Sequence, residues 1–153
     1  MPRMQEEARA LITAITEGDR GKVVELVDKE AVINTKDDNS GHIPLQVAAQ
    51  IGSMEFVRLL LDKGADINLT NDFGTSALHL SILGGHEEVT RLLLDEGADI
   101  NLVDSNDNSP LHFFAAAPNV NTELVCLFLD SGADIHLSNS HGNLALHIAA
   151  LTG

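Results

Sequence analysis

The sequence predicts an all-α solenoid, in which antiparallel helix pairs stack on one another. The first observation is a Leu-His dipeptide that recurs after thirty-three and then thirty-five residues, ending at His79, His112 and His147. The second is the tetrapeptide Gly-Ala-Asp-Ile, which begins at Gly64, Gly97 and Gly132. Self-similarity at such a period is typical of repeat arrays, whose units bury their apolar faces against their neighbours.

The third observation is a pair of short helical patterns within residues 73–101. In the first pattern Leu78 and Ile82 are four residues apart, and Gly84-Gly85 ends it, as a C-terminal glycine does. The second pattern has apolar residues at i, i+3 and i+4, namely Val89, Leu92 and Leu93. Helices this short are marginal alone, so we expect them to stack on copies of themselves.

The recurring motifs resemble those of the ankyrin repeat, which reads Gly-x-Thr-Pro-Leu-His, then Gly-His, Val-x-x-Leu-Leu and Gly-Ala-Asp-x-Asn. The resemblance runs from about Met4 to the C-terminus. It implies one projecting turn or β-hairpin per helix pair and a slightly curved stack. It also implies that ligands lie along the concave side, which the turns and the first helix of each pair form.

We expect a single domain over residues 1–153. It divides into a capping unit, three full repeats and an incomplete unit, at residues 4–37, 38–71, 72–104, 105–139 and 140–153. The capping unit lacks both the Leu-His and the Gly-Ala-Asp motif, as a terminal unit with one side in water does. The turn that ends at Gly41 is one residue longer than its counterpart at Gly74, so it should differ in shape.

The third repeat departs from the pattern in two places. Asp107 stands where the other turns have glycine, and aspartate tolerates a left-handed backbone better than most residues. Two extra residues lie before the second helix, which Asn121 or Thr122 can cap, and Pro118 ends the first helix. The insertion is either neutral drift, since longer loops cost little entropy, or a landmark that a partner recognises.

The fourth unit contains a first helix but reaches Gly153 before a second one. A first helix without its mate leaves apolar surface open. Either the chain is a segment of a longer array, or another chain covers this face, in which case self-association through the open C-terminal layer is one expectation.

Composition restricts the class of function. The net charge of −14, with nine Lys and Arg residues, argues against nucleic-acid binding, which needs clustered cations. No apolar run approaches the roughly eighteen residues of a membrane span, and the N-terminus lacks a secretory signal. A single cysteine, Cys126, excludes an internal disulfide framework. We therefore expect a cytoplasmic or nuclear protein with no membrane association.

Neither metal nor cofactor binding is expected. The Leu-His histidines follow the repeat, so they lie one layer apart, roughly 8 to 10 Å, whereas ligands of one ion sit about 2 Å from it. The resemblance implies instead that each histidine bonds to the backbone of adjoining turns, and Gln46 can do much the same in the first repeat.

No catalytic site is predicted, so we expect a protein that is not an enzyme. The aspartates of the Gly-Ala-Asp motifs should serve turn hydrogen bonds, and no carboxylate pair has the apolar setting that a general acid needs. The sequence contains neither a nucleophile elbow nor a phosphate-binding loop. Cys126 has no basic neighbour to lower its pKa and is expected to be half-buried.

The leading hypothesis is a non-catalytic module that binds a protein or peptide on its concave surface. The residues aligned with that surface are His42, Ile51, Asp72, Phe73, Thr75, Leu83, Asn106, Asn108, His141 and Leu151. The three aliphatic residues are interpreted as recurring at one site of the first helix, and they are either part of a binding hot spot or buried between layers. Phe73 falls where a turn tip is normally polar, and nearby aspartates favour a basic partner.

Two alternatives remain open from the sequence. Asn68 and Asn101 lie in a context that resembles the substrate of the asparaginyl hydroxylase of the hypoxia pathway. The other alternative is that the chain is a regulatory segment of a larger enzyme or channel.

Overall fold

A computed structural model describes residues 2–118 and 121–152. The helices, in chain order, are α1 (Pro2–Glu17), α2 (Arg20–Val27), α3 (Glu30–Ile33), α4 (Pro44–Ile51), α5 (Met54–Asp62), α6 (Ala77–Leu83), α7 (Glu87–Asp95), α8 (Pro110–Ala116), α9 (Thr122–Asp130) and α10 (Ala145–Thr152).

The predicted all-α solenoid is confirmed. The first helices of successive layers pack on one another in chain order, as α1, α4, α6, α8 and α10. Each of α2, α5, α7 and α9 is the second helix of its layer. The core is a continuous band of buried aliphatic residues between layers, and Ala48, Ala49 and Leu60 are all fully buried in it. Stability therefore comes from contacts between neighbouring layers.

The helix ends follow from local sequence. Pro44 occupies the first turn of α4, where it loses no amide partner, and Gly52 ends that helix with φ +79°. The Ser53 hydroxyl accepts the amide of Phe56 and so caps α5. Layer boundaries are thus set by residues that the sequence shows directly.

The capping unit contains a helix that the sequence did not predict. The second helix, expected from Lys22 to Lys29, runs from Arg20 to Val27, and the single turn α3 follows where later units have Gly-Ala-Asp. Val32 and Ile33 of this turn are fully buried. The extra turn covers the core of the first layer.

The projecting segments are tight turns instead of extended β-hairpins. In the described part of the chain, pairing of strand type is limited to isolated antiparallel bridges, Thr70 with Ser76 and Ser138 with Leu144. The turns between layers therefore depend mainly on side-chain hydrogen bonds.

The helix pair of the third repeat is wider than the others, and a phenylalanine explains why. Phe114 follows the repeat histidine His112 by two residues, a site that small residues, Ala48 and Ser81, occupy in the two preceding layers. The Phe114 ring stacks on Phe128 of α9, with centroids 4.8 Å apart. The backbones of α8 and α9 therefore approach less closely than those of α4 and α5.

A wider pair needs a longer connection, which the two extra residues of this repeat supply. The helix α8 ends at Ala116, two residues before Pro118, and Asn121 Oδ1 accepts the amide of Leu124 at 2.7 Å. The prediction of an Asn121 cap is therefore confirmed. Residues 119 and 120 of the insertion lie outside the described residues.

Candidate partner-binding surface

The four projecting turns share one construction. Each begins with Asp or Asn, whose side-chain oxygen accepts backbone amides of the turn; these residues are Asp37, Asn71, Asp104 and Asn139. In the second turn Asn71 Oδ1 accepts the amides of Phe73 at 2.9 Å and Thr75 at 3.0 Å. Turn shape is thus held by a side chain of the turn and not by a long strand ladder.

The first turn differs in shape, as its extra residue predicts. The Asp37 amide donates to the carbonyl oxygen of His42, five residues on, whereas the Asn71 amide donates to that of Thr75, four residues on. Burial alone would raise the pKa of Asp37, but hydrogen bonds from Ser40 and Arg9 leave this pKa below its ordinary value.

The later turns are joined to one another by backbone hydrogen bonds. The Ser105 amide donates to the carbonyl oxygen of Phe73, and the Ser140 amide donates to that of Asn106, each at 2.9 Å. Asp107 adopts φ +60°, which confirms the prediction that an aspartate takes the left-handed position there. The second, third and fourth turns therefore form one connected edge.

Two large apolar side chains project from the second repeat at opposite ends of α6. The side chain of Phe73 is 68% exposed at the turn, and that of Leu83 is 66% exposed at the end of the helix. The Phe73 amide and carbonyl are both hydrogen-bonded, so the backbone of this residue is fixed while its ring stays in solvent. Such a preorganised aromatic suits a binding anchor.

Leu83 also borders an open groove of about 950 Å³ between the second and third layers. The groove is lined by Leu83, Phe113 and Ala116, among other residues of these two layers, and by Ile148 of the fourth unit. We call the exposed side chains of the turns and first helices, together with this groove, the inner surface.

The interpretation that three aliphatic residues share one site is wrong for Ile51. Leu83 and Leu151 each follow the repeat histidine by four residues, and both are exposed. Four residues after Gln46 stands Gln50, so Ile51 lies one position beyond the shared site. Ile51 is nevertheless partly exposed, beside the inner surface.

The other predicted contact residues divide by exposure. Asp72, Asn106 and His141 are exposed on the turns, as the prediction requires. Thr75 is buried, so it cannot be reached by a partner. Asn108 is half-buried, and its Oδ1 accepts the Asn139 side-chain amide at 2.9 Å, which ties it to the next layer.

His42 is half-buried at the end of the first turn. Among the described residues its Nδ1 is a buried nitrogen without a hydrogen-bond partner. His42 therefore stays a predicted contact residue, at the edge of the inner surface.

The repeat histidines hold the layers together, as the resemblance implies. The Ser76 amide donates to His79 Nδ1 at 3.2 Å, so the ring proton is on Nε2, which donates to the Asn108 carbonyl oxygen at 3.2 Å. Burial lowers the pKa of His79, which favours the neutral ring. Gln46 makes equivalent bonds to the carbonyl oxygens of Leu69 and Thr75.

Within residues 2–118 and 121–152, no group of three or more His, Cys, Asp or Glu side chains could hold a metal ion. None of the described helices is long and apolar enough to cross a membrane. The prediction for Cys126 is wrong, because its side chain is exposed on α9 instead of half-buried.

Asparagines of the Gly-Ala-Asp-Ile-Asn motif form a second ladder between layers. The Asp99 amide donates to Asn68 Oδ1, and the Asp134 amide donates to Asn101 Oδ1, both at 2.8 Å. Asn101 Nδ2 also donates to the Gly132 carbonyl oxygen at 3.0 Å. Both asparagines are exposed yet bonded, and their hydroxylation stays a prediction.

Charged residues are distributed unevenly along the array. The repeat motifs do not show this, but a count of acidic and basic residues does. Residues 1–63 contain eleven acidic and eight basic side chains, whereas residues 64–153 contain twelve acidic side chains and a single basic one, Arg91. Asp72 is paired with Lys36 at 3.2 Å, but no cation in the described chain lies within 4 Å of Asp104 or Asp107. The third turn therefore carries uncompensated negative charge.

Comparison with known proteins gives a match over most of the chain. The family model described as "Ankyrin repeats (3 copies)" matches residues 3–71 and 64–135. The human Ankyrin repeat domain-containing protein 35 is 36% identical over 70 residues, which is 46% of this chain and 7% of that protein.

Two other relatives are similar over shorter stretches. The mouse 2-5A-dependent ribonuclease is 41% identical over 61 residues, which is 40% of this chain and 8% of that protein. The rabbit (Oryctolagus cuniculus) Transient receptor potential cation channel subfamily V member 5 is 49% identical over 43 residues, 28% of this chain and 6% of the channel. The aligned stretch thus spans less than a tenth of each relative's length.

Proposed function

Since the chain belongs to the ankyrin-repeat family, we propose that it is a non-catalytic module that binds a protein or peptide on the inner surface. Ankyrin repeats generally mediate protein–protein interaction. The main support for this binding site is Phe73, whose ring is exposed while its backbone amide and carbonyl oxygen are both hydrogen-bonded. Because the backbone of this residue is already ordered, covering the ring with a partner costs little backbone entropy.

The partner should present two apolar side chains to this surface. Phe73 lies in the turn that precedes α6, and Leu83 is the last residue of this helix. A partner that covers both side chains therefore contacts both the turn and the end of the first helix. Leu83 borders the groove between layers, so it marks the point where a side chain of the partner enters.

The partner should also be basic on the side that faces the third turn. Asp104 and Asp107 lie there without cation partners in the described chain, in the part of the array that has one basic residue. Asp72 is already paired with Lys36, which supports the third turn as the centre of this attraction. Rim charges of this kind raise the association rate more than the affinity.

The experiment is capture of partners from a lysate on the immobilised chain, at low and at high salt. Replacing Phe73 by Ala and Leu83 by Glu should reduce partner capture by about tenfold or more, because an anchor is lost. The matched control is Val24→Ala, which truncates a partly exposed apolar residue on α2, away from the inner surface.

If captured proteins bind the Phe73 variant as well as they bind the parent chain, the inner surface is not the binding site. Elution that does not respond to salt would contradict the basic partner while leaving the anchor intact. Thermal unfolding of each variant must stay near that of the parent chain, since all three side chains are exposed.

A second candidate is that the module is a regulatory part of a longer enzyme or channel. It is supported by the relatives, among which a ribonuclease and cation channels align over less than a tenth of their length. In that case an activity would reside outside the array. Sequencing the full transcript distinguishes the candidates.

The module is proposed to act in the cytoplasm or nucleus, where its single exposed thiol stays reduced.

A further inference from the structure

The groove between the second and third layers has a carboxylate among its lining residues that the neighbouring layers lack at the same site. Glu87 is the first residue of α7 and lines the groove. The first residues of the equivalent helices α5 and α9 are Met54 and Thr122. A negative charge at this site therefore belongs to the second repeat and not to the repeat motif.

The Glu87 carboxylate is held by residues of both layers. Its Oε1 accepts hydrogen bonds from Arg91 Nη2 at 2.7 Å and from Arg91 Nε at 3.2 Å. Its Oε2 accepts a hydrogen bond from Asn121 Nδ2 at 2.7 Å, and Asn121 also caps α9. A carboxylate that is already held in place loses little side-chain entropy when a ligand binds to it.

The environment of Glu87 keeps it ionised and negative. The hydrogen bond from Arg91 lowers the pKa of Glu87 below its ordinary value. The pKa of Arg91 is raised, first by its hydrogen bond to Glu87 and also by the charges of Glu123 and Asp95. Because one cation stands among three carboxylates, an excess of negative charge remains, and it attracts a second cation.

One acceptor position of Glu87 is open in the described part of the chain. A carboxylate has about four lone-pair sites, two on each oxygen. Oε1 accepts two hydrogen bonds, whereas Oε2 accepts one. A lysine ammonium is a point charge that can bond to a single acceptor, whereas the arginine fork is matched to two acceptors side by side. The open position therefore favours lysine.

The apolar walls of the groove suit the carbon chain of a lysine. They include Leu83, Phe113, Ala116 and Pro118. Lysine packs its four-carbon stem along apolar surface while its ammonium group reaches a polar neighbour. A lysine that enters beside Leu83 would thus find apolar contacts for its stem and a carboxylate for its charge.

The longer connection between α8 and α9 forms part of the groove. Ala117 and Pro118 of this connection line it, together with Asn121, whose side chain bonds to Glu87. The groove therefore has one side that only the third repeat provides. This observation favours the interpretation of the insertion as a landmark for a partner.

We propose that the groove takes a lysine side chain of the partner, whose ammonium group donates to Glu87 Oε2 while its stem lies against Leu83. The inference rests on the proposed function, because the groove is part of the inner surface. It names the side chain that enters there.

The test uses short synthetic peptides that are selected from a random library on the immobilised 153-residue chain. Peptides whose binding is lost on Phe73→Ala are those that bind the inner surface. In these peptides, replacing the lysine by norleucine keeps the stem and removes the charge. The dissociation constant should rise by about tenfold or more, because a hydrogen bond to a charged group is lost. Replacement by arginine should also weaken binding, since Glu87 has one open acceptor position.

Glu87→Gln is the corresponding change in the chain, and Glu88→Gln is its matched control. Glu88 is the next residue of α7 and is exposed, and it does not line the groove, although its substitution removes the same charge. In Glu87→Gln the lysine and norleucine peptides should bind about equally, whereas in Glu88→Gln the difference of about tenfold should persist. Glu87→Met, which introduces the residue found at this site in the first layer, provides a second variant. Circular dichroism checks that each variant is folded.

Three results would overturn the inference while the proposed function stands. They are inner-surface peptides that bind without a lysine, norleucine peptides that bind as well as lysine peptides, and equal effects of Glu87→Gln and Glu88→Gln. A library that yields no peptide sensitive to Phe73→Ala would overturn the proposed function together with the inference.

Discussion

The Ser105 amide donates a 2.9 Å hydrogen bond to the carbonyl oxygen of Phe73, and this bond joins two successive turns while the Phe73 ring stays in solvent. The backbones of these two turns approach each other closely at Gly74, which has no Cβ atom. A Cβ atom on Gly74 would lie 2.9 Å from the Ser105 nitrogen, with φ at +72°. Backbone contact at this point positions the aromatic residue that the proposed function uses.

Gly74→Ala should therefore destabilise the chain by more than its left-handed backbone alone costs. That cost is roughly 1–2 kcal/mol, and the clash with backbone atoms adds to it. The control is Gly142→Ala, since Gly142 has the same place in the last turn, φ +75° and nothing within 4 Å of an added Cβ. Urea unfolding of both variants measures the difference. Equal losses would show that the close approach is unimportant.

Asn101→Ala should lower the free energy of unfolding by about 1–3 kcal/mol, since two hydrogen bonds to the next layer disappear. These are the bonds with the Asp134 amide and the Gly132 carbonyl oxygen. His136→Ala is the control, because His136 has the same place in the last motif and its side chain makes no hydrogen bond to the described residues. Thermal unfolding provides the comparison, and a larger loss for His136→Ala would contradict the ladder.

The pKa of His79 is lowered by burial, so protonation favours the unfolded chain. The unfolded state binds the additional proton as pH falls below the ordinary histidine pKa of about 6.5, and stability should decrease from there towards the lower folded pKa. Above that window His79 contributes no pH dependence. Urea unfolding between about pH 5 and pH 8 measures this slope.

His79→Gln should remove that part of the pH dependence while the fold persists. The substitution places in the second repeat the residue that the first repeat has as Gln46, whose amide donates to two carbonyl oxygens of the next turn. An unchanged slope in the variant would assign the acid sensitivity to other groups.

Asp37 affects stability at lower pH than His79 does. Because the pKa of Asp37 is lower in the folded chain, its carboxylate stabilises the fold above about pH 3.8, and this contribution is lost as pH falls below that value.

Phe114→Ser should be the most damaging of these changes, at about 3–5 kcal/mol, because it opens a cavity between α8 and α9. Serine is the native residue at this site one layer earlier, as Ser81. The loss should nevertheless occur, since the longer connection of the third repeat keeps the two helices apart. Phe114→Leu should cost less. A neutral Phe114→Ser, measured by urea unfolding, would mean that the pair closes up and that the insertion is not coupled to the ring.

Much of the fold is predictable from the amino-acid sequence alone. The period of the Leu-His and Gly-Ala-Asp-Ile motifs located the layers. The caps at Ser53 and Asn121 set helix boundaries, and a cap is readable from sequence because it acts over four residues or fewer. The left-handed Asp107 was predictable for the same reason. Side-chain exposure was harder: Thr75 and Cys126 were assigned incorrectly, since each depends on the layers above and below.

The sequence by itself determined the repeat, the order of the layers and the excess of negative charge after residue 63, because periodicity and charge are properties of the chain. Only the tertiary structure decided which of the repeated side chains face solvent. The Phe73 ring is exposed although its backbone is bonded within its own turn and to Ser105, and Leu146 is exposed although the equivalent Leu78 is buried. In a stack, the burial of a side chain depends on the neighbouring layer as well as on its own. Equivalent residues of one motif can therefore be buried in one layer and exposed in another.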